Sequence, residues 1–395
     1  MRRTGNVFLL LALMVTSKIA SAYEVGNWDV HGTFSQGWIH SEDNNFIEDS
    51  TEGTFDFREY GVNATTTLGE RTTIGGQLFA REFGTVGNDD IYLDWLNLSY
   101  SFSNAVGFRA GKLKMPYGLY GETRDVDSLR TQILLPQSVY VESVRGSINS
   151  MWGGAVFGYL SSDRWGSLDY SLQAGQSAID EDSGEINRLA SYIELEVDNV
   201  DDGNTGALKL FWEAPSSGLR VGTTLSWSEF SVSGPTDALI GIPGTYNADL
   251  EDQYFIVNSV EYTVGRAKFA AEQLYSNLEA RFDTGPASMF SLEFDINMLA
   301  YYFNGEYRFT DRFTVAAGIT SLSVKQKPNI AEVNPTTKEK QEGYYLSLRY
   351  DITPNLIAKF EQHFYTGEAA LFLTENPDGF ADDWSMSLVK LSFVF

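Results

Sequence analysis

Apolar and polar residues alternate with a period of two along most of the chain. This pattern predicts β-strands, because successive side chains of a strand point to opposite faces. We count sixteen strand candidates, at 26–40, 54–68, 73–83, 91–102, 105–115, 147–160, 167–177, 206–214, 219–232, 253–264, 267–280, 292–309, 312–325, 342–351, 355–365 and 383–395.

The strand candidate at 292–309 shows how strongly the two faces differ. One face carries Leu299, Tyr301, Phe303, Tyr307 and Phe309, and the other carries Tyr302, Asn304, Glu306 and Arg308. A soluble sandwich also alternates, but its polar face looks outward and its strands are rarely so numerous. We therefore predict one closed barrel, with lipid outside and water inside.

The connections between the strand candidates are alternately short and long. Seven are tight turns, and eight are loops, of which 116–146 is the third. Outer-membrane barrels have short turns on the periplasmic side and longer loops on the external side. The sequence thus predicts an all-β fold, a transmembrane antiparallel 16-stranded β-barrel with both ends of the chain on one side.

Both ends of the chain fit this prediction. Residues 1–22 have the form of a signal peptide, with Arg2 and Arg3, an apolar core at 7–15 and the small residues Ala20-Ser21-Ala22. The barrel would then comprise 23–395. Its last strand ends on Phe395, as expected of a strand that closes against the first.

Composition narrows the possible functions. The chain has no cysteine, which excludes disulfides and a thiol nucleophile. Its net charge of −25 becomes −28 without the leader, so a nucleic-acid partner is not expected. The acid is concentrated in the loops 41–53, 178–205 and 366–382. Within the second of these, 186–197 could be either a short helix or a strand.

No cofactor or metal site is expected. The three histidines, His31, His40 and His363, lack ligand spacing. The acidic clusters at 180–182 and 201–202 do not have the spacing of a calcium loop, so we interpret them as solvated loop charge.

Inward-facing positions of the strands carry more bases than acids. The bases are Arg81, Arg109, Lys209, Arg220, Lys268, Arg308, Arg349, Lys359 and Lys390, and the acids are Glu59, Glu213, Glu261, Glu272, Glu306 and Glu361. Charge on a pore wall tunes which ions pass. The alternative is that these groups pair with one another and stiffen the barrel without selecting solutes.

The loop 116–146 differs from the other loops. It is nearly balanced in charge and contains an apolar run at 133–136 that would be poorly placed in water. We predict that it folds inward, since irregular backbone at membrane depth is tolerated inside a protein or a water-filled cavity. The alternative is an external loop that covers the mouth or contacts another subunit. Our candidate constriction residues are Arg109, Lys112, Lys114, Tyr117, Tyr120, Glu122, Arg124, Asp125, Asp127, Arg130, Tyr140 and Arg145.

The same region carries a family resemblance. It is similar to Gram-negative outer-membrane porins, broadly of the phosphate-selective (O/P-type) group, in the sequences GKLKMPYGLY at 111–120, ETRD at 122–125, LLPQS at 134–138 and RG at 145–146. The resemblance implies a trimeric 16-stranded porin of the outer membrane whose third external loop forms the constriction. The chain departs from phosphate-selective members in its acidic loops and in having no dense lysine run at the mouth.

The predicted function is therefore passive diffusion of small hydrophilic solutes or ions. Arg109, Lys114, Arg124 and Arg130 would attract anionic groups, and nearby acids would hold these bases in place. The expected partners are outer-membrane lipid and lipopolysaccharide, two further copies of the chain, and the solutes. Two alternatives are an outer-membrane adhesin or receptor with a plugged lumen and, from the enzyme class, a barrel hydrolase that would need His363 beside a serine.

Overall fold

The computed structural model describes residues 23–84, 87, 89–142, 145–179, 186, 196–235, 244–284, 290–328 and 337–395. The signal peptide predicted at 1–22 lies outside the described residues. So do the acidic cluster at 180–182 and most of the stretch 186–197.

The described chain is built almost entirely of strands. They are β1 (Tyr23–Val25), β2 (Trp28–Glu42), β3 (Phe57–Leu68), β4 (Thr72–Phe83), β5 (Tyr92–Ser101), β6 (Gly107–Lys114), β7 (Ser150–Ser162), β8 (Gly166–Ser177), β9 (Asn199–Glu213), β10 (Leu219–Pro235), β11 (Thr245–Val264), β12 (Ala267–Thr284), β13 (Phe290–Arg308), β14 (Phe313–Pro328), β15 (Thr337–Asp351), β16 (Leu356–Gly367) and β17 (Asp383–Val394). The helical elements are α1 (Arg145–Asn149) and two 3-10 turns, Gly121–Thr123 and Asp127–Leu129. Among the described residues, no helix has the length and apolar content needed to cross a membrane.

The strands β2 to β17 form a closed ring. Each pairs antiparallel with the next, and β17 pairs with β2, with Lys390 opposite Gly37 and Phe393 opposite Phe34. The short β1 folds back on β2 through a turn at Gly26 and Asn27. The prediction of a 16-stranded antiparallel barrel is confirmed. The connections alternate as predicted, except that the connection between β12 and β13 has only five residues, as few as the short connections after β5 and β9.

Several strands extend further into the long connections than the sequence predicts. The candidate at 206–214 begins at Asn199, the candidate at 253–264 begins at Thr245, and the candidate at 342–351 begins at Thr337. The extension of β11 does alternate, with Tyr246, Ala248 and Leu250 buried, and was missed despite this signal. The extensions of β9 and β15 carry polar residues in succession, so they lack the alternation by which the strands were recognised. They form because backbone hydrogen bonding to a partner strand needs no apolar face.

The two faces of the barrel differ as predicted. On β13, Tyr301 and Phe303 are each 49 % exposed, whereas Tyr302 and Asn304 between them are buried. The same contrast recurs around the ring, where large apolar side chains on nearly every strand point away from the interior. The outer face is therefore suited to lipid, and the inner face holds the polar and charged side chains.

Candidate functional site

The longest connection joins β6 to β7 and spans residues 115–149. We call it the third connection. It leaves one side of the ring and makes contacts with strands all around it. Two groups of contacts hold it, one made of ion pairs and the other of aromatic and aliphatic packing.

The ion pairs join the third connection to β3, β4, β5, β16 and β17. Lys114 lies 2.7 Å from Asp94 of β5 and also contacts Asp125, which in turn pairs with Arg145. Glu142 lies 2.9 Å from Arg81 of β4 and 3.1 Å from Arg124. Together with the groups around Glu59 and Asp127, these residues form what we call the ion-pair network.

Asp127 and Glu59 connect the network to the last two strands. Lys359 of β16 lies 3.0 Å from Asp127, and Lys390 of β17 lies 3.6 Å from it. Lys390 also lies 2.5 Å from Glu59 of β3. Arg130 lies 3.6 Å from Asp127. Ser392 Oγ donates a 2.5 Å hydrogen bond to the same carboxylate.

The network is removed from water. Arg124 is 3 % exposed, Lys359 2 % and Lys390 1 %. Burying a charge is costly unless it is paired and hydrogen-bonded, and breaking such a pair destabilises a protein by about 3–5 kcal/mol. The bases of the third connection therefore hold it to the wall, which favours the pairing interpretation over that of bases facing the solute.

The neighbouring bases of the network lower the pKa values of two acids of the third connection. Burial by itself raises the pKa of Asp127, but the positive charges of Lys359, Lys390 and Arg130 more than offset this and hold the pKa well below its ordinary range. The pKa of Glu142 is lowered in the same way, with burial opposed by Arg124 and Arg81. The carboxylates of Asp127 and Glu142 are thus charged at neutral pH.

The packing contacts join the third connection to β11–β14. Tyr117 lies edge-on to Phe255 with ring centroids 5.9 Å apart. It belongs to a buried cluster with Val139, Tyr140 and Leu274. The cluster fills the space between the third connection and this part of the wall.

One carboxylate anchors that side. Glu272 of β12 accepts hydrogen bonds from the Tyr140 hydroxyl at 2.5 Å and from the Leu119 N–H at 2.7 Å. It also accepts bonds from Ser259 at 2.5 Å and Tyr302 at 2.8 Å. The four donors offset the cost of burying the carboxylate, and two of them, Tyr140 and Leu119, tie the third connection to β12.

The apolar run at 133–136 is buried. Ile133 and Leu134 pack in a cluster with Phe57, Trp384 and Leu388. The backbone N–H groups of Ile133 and Leu134 donate to Glu361 of β16 at 2.8 Å and 3.2 Å.

Glu361 also bears on the hydrolase alternative. It lies 2.6 Å from Nε2 of His363 and accepts a 2.5 Å bond from Ser347. The carboxylate therefore stands between the serine and the histidine, whereas a catalytic triad needs the histidine between the other two. His363 Nδ1 is engaged by Tyr365 at 2.9 Å. Among the described residues, no three His, Asp or Glu side chains are grouped so that they could hold a metal ion.

The remaining candidate residues lie apart from the network. Arg109 stacks on Phe157 at 4.8 Å, and Lys112 donates to the Leu93 carbonyl. The others make the following contacts: Lys209 with Glu122 and Asp169, Arg220 with Glu213 and Phe211, Lys268 with Glu306, Arg308 with the Asp311 carbonyl, Arg349 with Asp351 and the Ser128 carbonyl. Tyr120 stacks obliquely on Tyr140.

Two residues of the network were missed from the sequence. Asp94, fully buried on β5, and Asn149, which donates to it at 3.0 Å, were not among the candidates. The signal for Asp94 is a lone carboxylate at an inward position of the otherwise uncharged strand YLDWLNLSY. A buried acid of this kind needs a base, and Lys114 supplies it.

Known structures share this architecture. An outer-membrane expressed OmpT of Vibrio cholerae has 15 % identity and a TM-score of 0.55, over 95 % of this chain and 100 % of that one. An anion-selective porin from Comamonas acidovorans has 12 % identity and a TM-score of 0.52, over 93 % and 99 %. OmpF of Salmonella typhi has 12 % identity and a TM-score of 0.53, over 93 % and 97 %.

A likeness at these identities establishes a shared fold and leaves function to be argued from the site. No protein-family model matches the chain. No curated protein matches it either.

Proposed function

We propose that this protein is an outer-membrane porin through which small hydrophilic solutes or ions diffuse passively. The carrying observation is the closed ring of sixteen strands, with large apolar side chains outside and polar or charged side chains inside. A closed barrel satisfies every backbone group within lipid, and a polar interior gives water and solutes a route. The porins among the structural neighbours support the proposal.

The third connection would lie within the lumen and narrow it. Its contacts reach Ser392, three residues from the chain end, and Arg349, three residues before the short connection at 352–355. Both positions are on the side of the short turns. A loop that only covered the external mouth could not reach them.

The second candidate function is a receptor or adhesin with a plugged lumen. It is favoured by the two buried apolar clusters through which the third connection packs against the strands. The two candidates differ in whether ions pass. No covalent chemistry is needed for either function, and Ser347, Glu361 and His363 do not have the order of a catalytic triad.

Planar-bilayer recording tests the proposal. Purified, folded protein should produce stable, discrete conductance steps in 1 M KCl. Detergent alone and heat-denatured protein serve as controls. A correctly folded preparation that inserts without conducting would refute the porin and support the plugged receptor.

We further propose a homotrimer, with β2–β4, β16 and β17 facing neighbouring copies. On the outer face there, Gln362 and Ser387 hydrogen-bond at 2.5 Å, and Arg58 lies 3.1 Å from Glu82. Charged groups on a lipid-facing surface are destabilising, so contact with another copy would explain them. A trimer form of the Vibrio cholerae protein shares the fold. Native mass spectrometry should give three chains, and a monomer in mild detergent would exclude this arrangement.

A further inference from the structure

Few residues of the third connection are exposed to solvent. Among its described residues, only Glu122, Thr123 and Leu129 are exposed. Glu122 is the one charged residue of the three. A solute that passes the third connection would therefore meet an acid, while three of the four bases expected to attract anions, Lys114, Arg124 and Arg130, are held in the ion-pair network.

Glu122 faces β8 and β9. Its carboxylate lies 2.8 Å from Nζ of Lys209, and Asp169 lies 3.1 Å from the same nitrogen. We call these three residues the carboxylate–lysine cluster. Two carboxylates on one lysine leave it with a net charge of −1.

Water reaches this cluster more freely than the network. The side chains of Glu122 and Asp169 are 37 % and 39 % exposed. In the network, the side chain of Asp125 is 3 % exposed and that of Asp127 is 2 % exposed. Arg220 of β10 and Glu213 at the end of β9 are also partly exposed, at 30 % and 54 %, and pair at 3.6 Å.

Three paired glycines leave a patch of the inner wall on β6–β8 without side chains. Gly111, Gly153 and Gly175 are register partners on β6, β7 and β8. Gly153 and Gly175 alternate with buried residues such as Met151 and Ser177, which places them on the inner face. A Cβ at Gly153 would lie 2.2 Å from the Ala174 carbonyl oxygen, so larger residues are excluded and the gap is kept.

We propose that solutes pass beside Glu122–Thr123 along the inner wall of β6–β8, where the glycines leave a gap, and that the carboxylate–lysine cluster at the edge of this route gives it a preference for cations. The proposal rests on the porin function proposed above. It assigns Glu122, Asp169 and Lys209 as specificity-determining residues. It differs from the sequence-based expectation of anion attraction by Arg124 and Arg130.

Reversal potentials in a tenfold KCl gradient test the charge preference. The wild type should prefer K⁺ over Cl⁻. Glu122→Gln and Asp169→Asn should each lower the K⁺/Cl⁻ permeability ratio by roughly two- to five-fold, the effect of one unit charge a few ångströms away in water. Lys209→Gln should raise the ratio.

The absence of native cysteine allows a second, independent test of the route. Thr123→Cys should react with water-soluble methanethiosulfonate reagents and lose conductance. The sulfonate adduct should raise the permeability ratio and the ammonium adduct should lower it. Ser103→Cys, exposed on the short turn after β5, is the matched control and should show neither effect.

The outcomes separate this inference from the porin function. A folded wild type that does not conduct refutes the porin function itself. A conducting, anion-selective wild type, or an unchanged ratio in all three charge variants, overturns the cation preference. Conductance that is unaffected by label on Thr123→Cys overturns the route.

Discussion

At the scale of single residues, burial decides what a charge does. Arg124 and Arg145 carry the positive charge that could attract anions, yet each is paired with carboxylates and buried away from water. Lys209, by contrast, pairs with Glu122 and Asp169, whose side chains are partly exposed to water. Side chains of the same type therefore serve as an anchor in one place and as a lining group in another.

The hydroxyl of Tyr140 should contribute measurably to stability. Tyr140→Phe removes a donor to the buried Glu272, which should lower the free energy of unfolding by about 1–3 kcal/mol. Urea unfolding in detergent, followed by tryptophan fluorescence, measures the change. Tyr307→Phe, on the outer face, is the matched control and should have little effect. Equal effects of the two variants would contradict the anchoring role of Glu272.

Acid should release the third connection. The pKa values of Asp125, Asp127 and Glu142 are lowered in the folded protein, against burial, by the bases of the network. A lowered pKa means that the stabilisation is complete above the ordinary value near pH 4 and is lost progressively as the pH falls below it. These three acids should therefore change the thermal unfolding temperature little between pH 7 and pH 5. The unfolding temperature should decrease once the pH is lower than about 4.

The control for the acid effect is Asp127→Asn. This variant should be less stable than the wild type at pH 7 and should approach it as the pH falls, because protonation removes the same charge. A constant difference between the two proteins from pH 7 to 3 would contradict the assignment.

At the scale of elements, the third connection is held by backbone geometry as well as by side chains. Gly118 has a φ of +56° and donates its N–H to Thr224 at 2.9 Å. The left-handed backbone conformation of Gly118 lets the chain pass close to the Glu272 carboxylate. The element thus depends on one glycine where the backbone touches the wall.

Gly118→Ala should loosen the third connection. A Cβ there would lie 2.4 Å from Glu272 Oε1 and 2.5 Å from the Tyr140 hydroxyl. Gly265→Ala is the matched control, since Gly265 has a φ of +59° but no atom within 4 Å of the added Cβ. Both variants should carry a backbone cost of about 1–2 kcal/mol, and the first should lose a further 1–3 kcal/mol, approximately, from overpacking.

Conductance gives the second readout for this pair. Gly118→Ala should give noisier or larger conductance steps than the wild type, and Gly265→Ala should not. Identical stability and conductance of the two variants would mean that Gly118 does not hold the third connection in place.

At the scale of the whole molecule, stability depends on closing the ring. Gly32 and Phe395 exchange backbone hydrogen bonds of 3.0 Å and 3.1 Å beside the β2–β17 seam. The Phe395 ring covers Gly32, where a Cβ would lie 2.3 Å from it. The first and last strands of the ring therefore meet, and the ring leaves no free strand edge at this seam.

Phe395→Ser should impair assembly of the barrel. The ring over Gly32 is lost, so we expect a smaller fraction of the protein to fold from urea into detergent micelles. The folded fraction is measured by the mobility difference between heated and unheated samples on a gel. Phe309→Ser, exposed on a short turn, is the control. A folded fraction equal to wild type in Phe395→Ser would contradict a role in closure.

The sequence by itself determined the barrel. Sixteen strands, their faces and the alternation of short and long connections follow from local periodicity, because a strand that faces lipid on one side must alternate. It also singled out the third connection, since the apolar run beside mixed charges is visible in the chain. The extended ends of β9 and β15 were missed because they are polar on both faces, whereas the extended end of β11 alternates and was overlooked.

The roles of the charges were decided only by the tertiary structure. Asp125 and Arg145 are twenty residues apart, and Glu59 and Lys390 come from opposite ends of the chain. No local pattern shows that such groups meet, since pairing depends on how the ring closes and where the third connection lies. The sequence therefore revealed which residues could line a pore, and the fold revealed which of them are sealed from water.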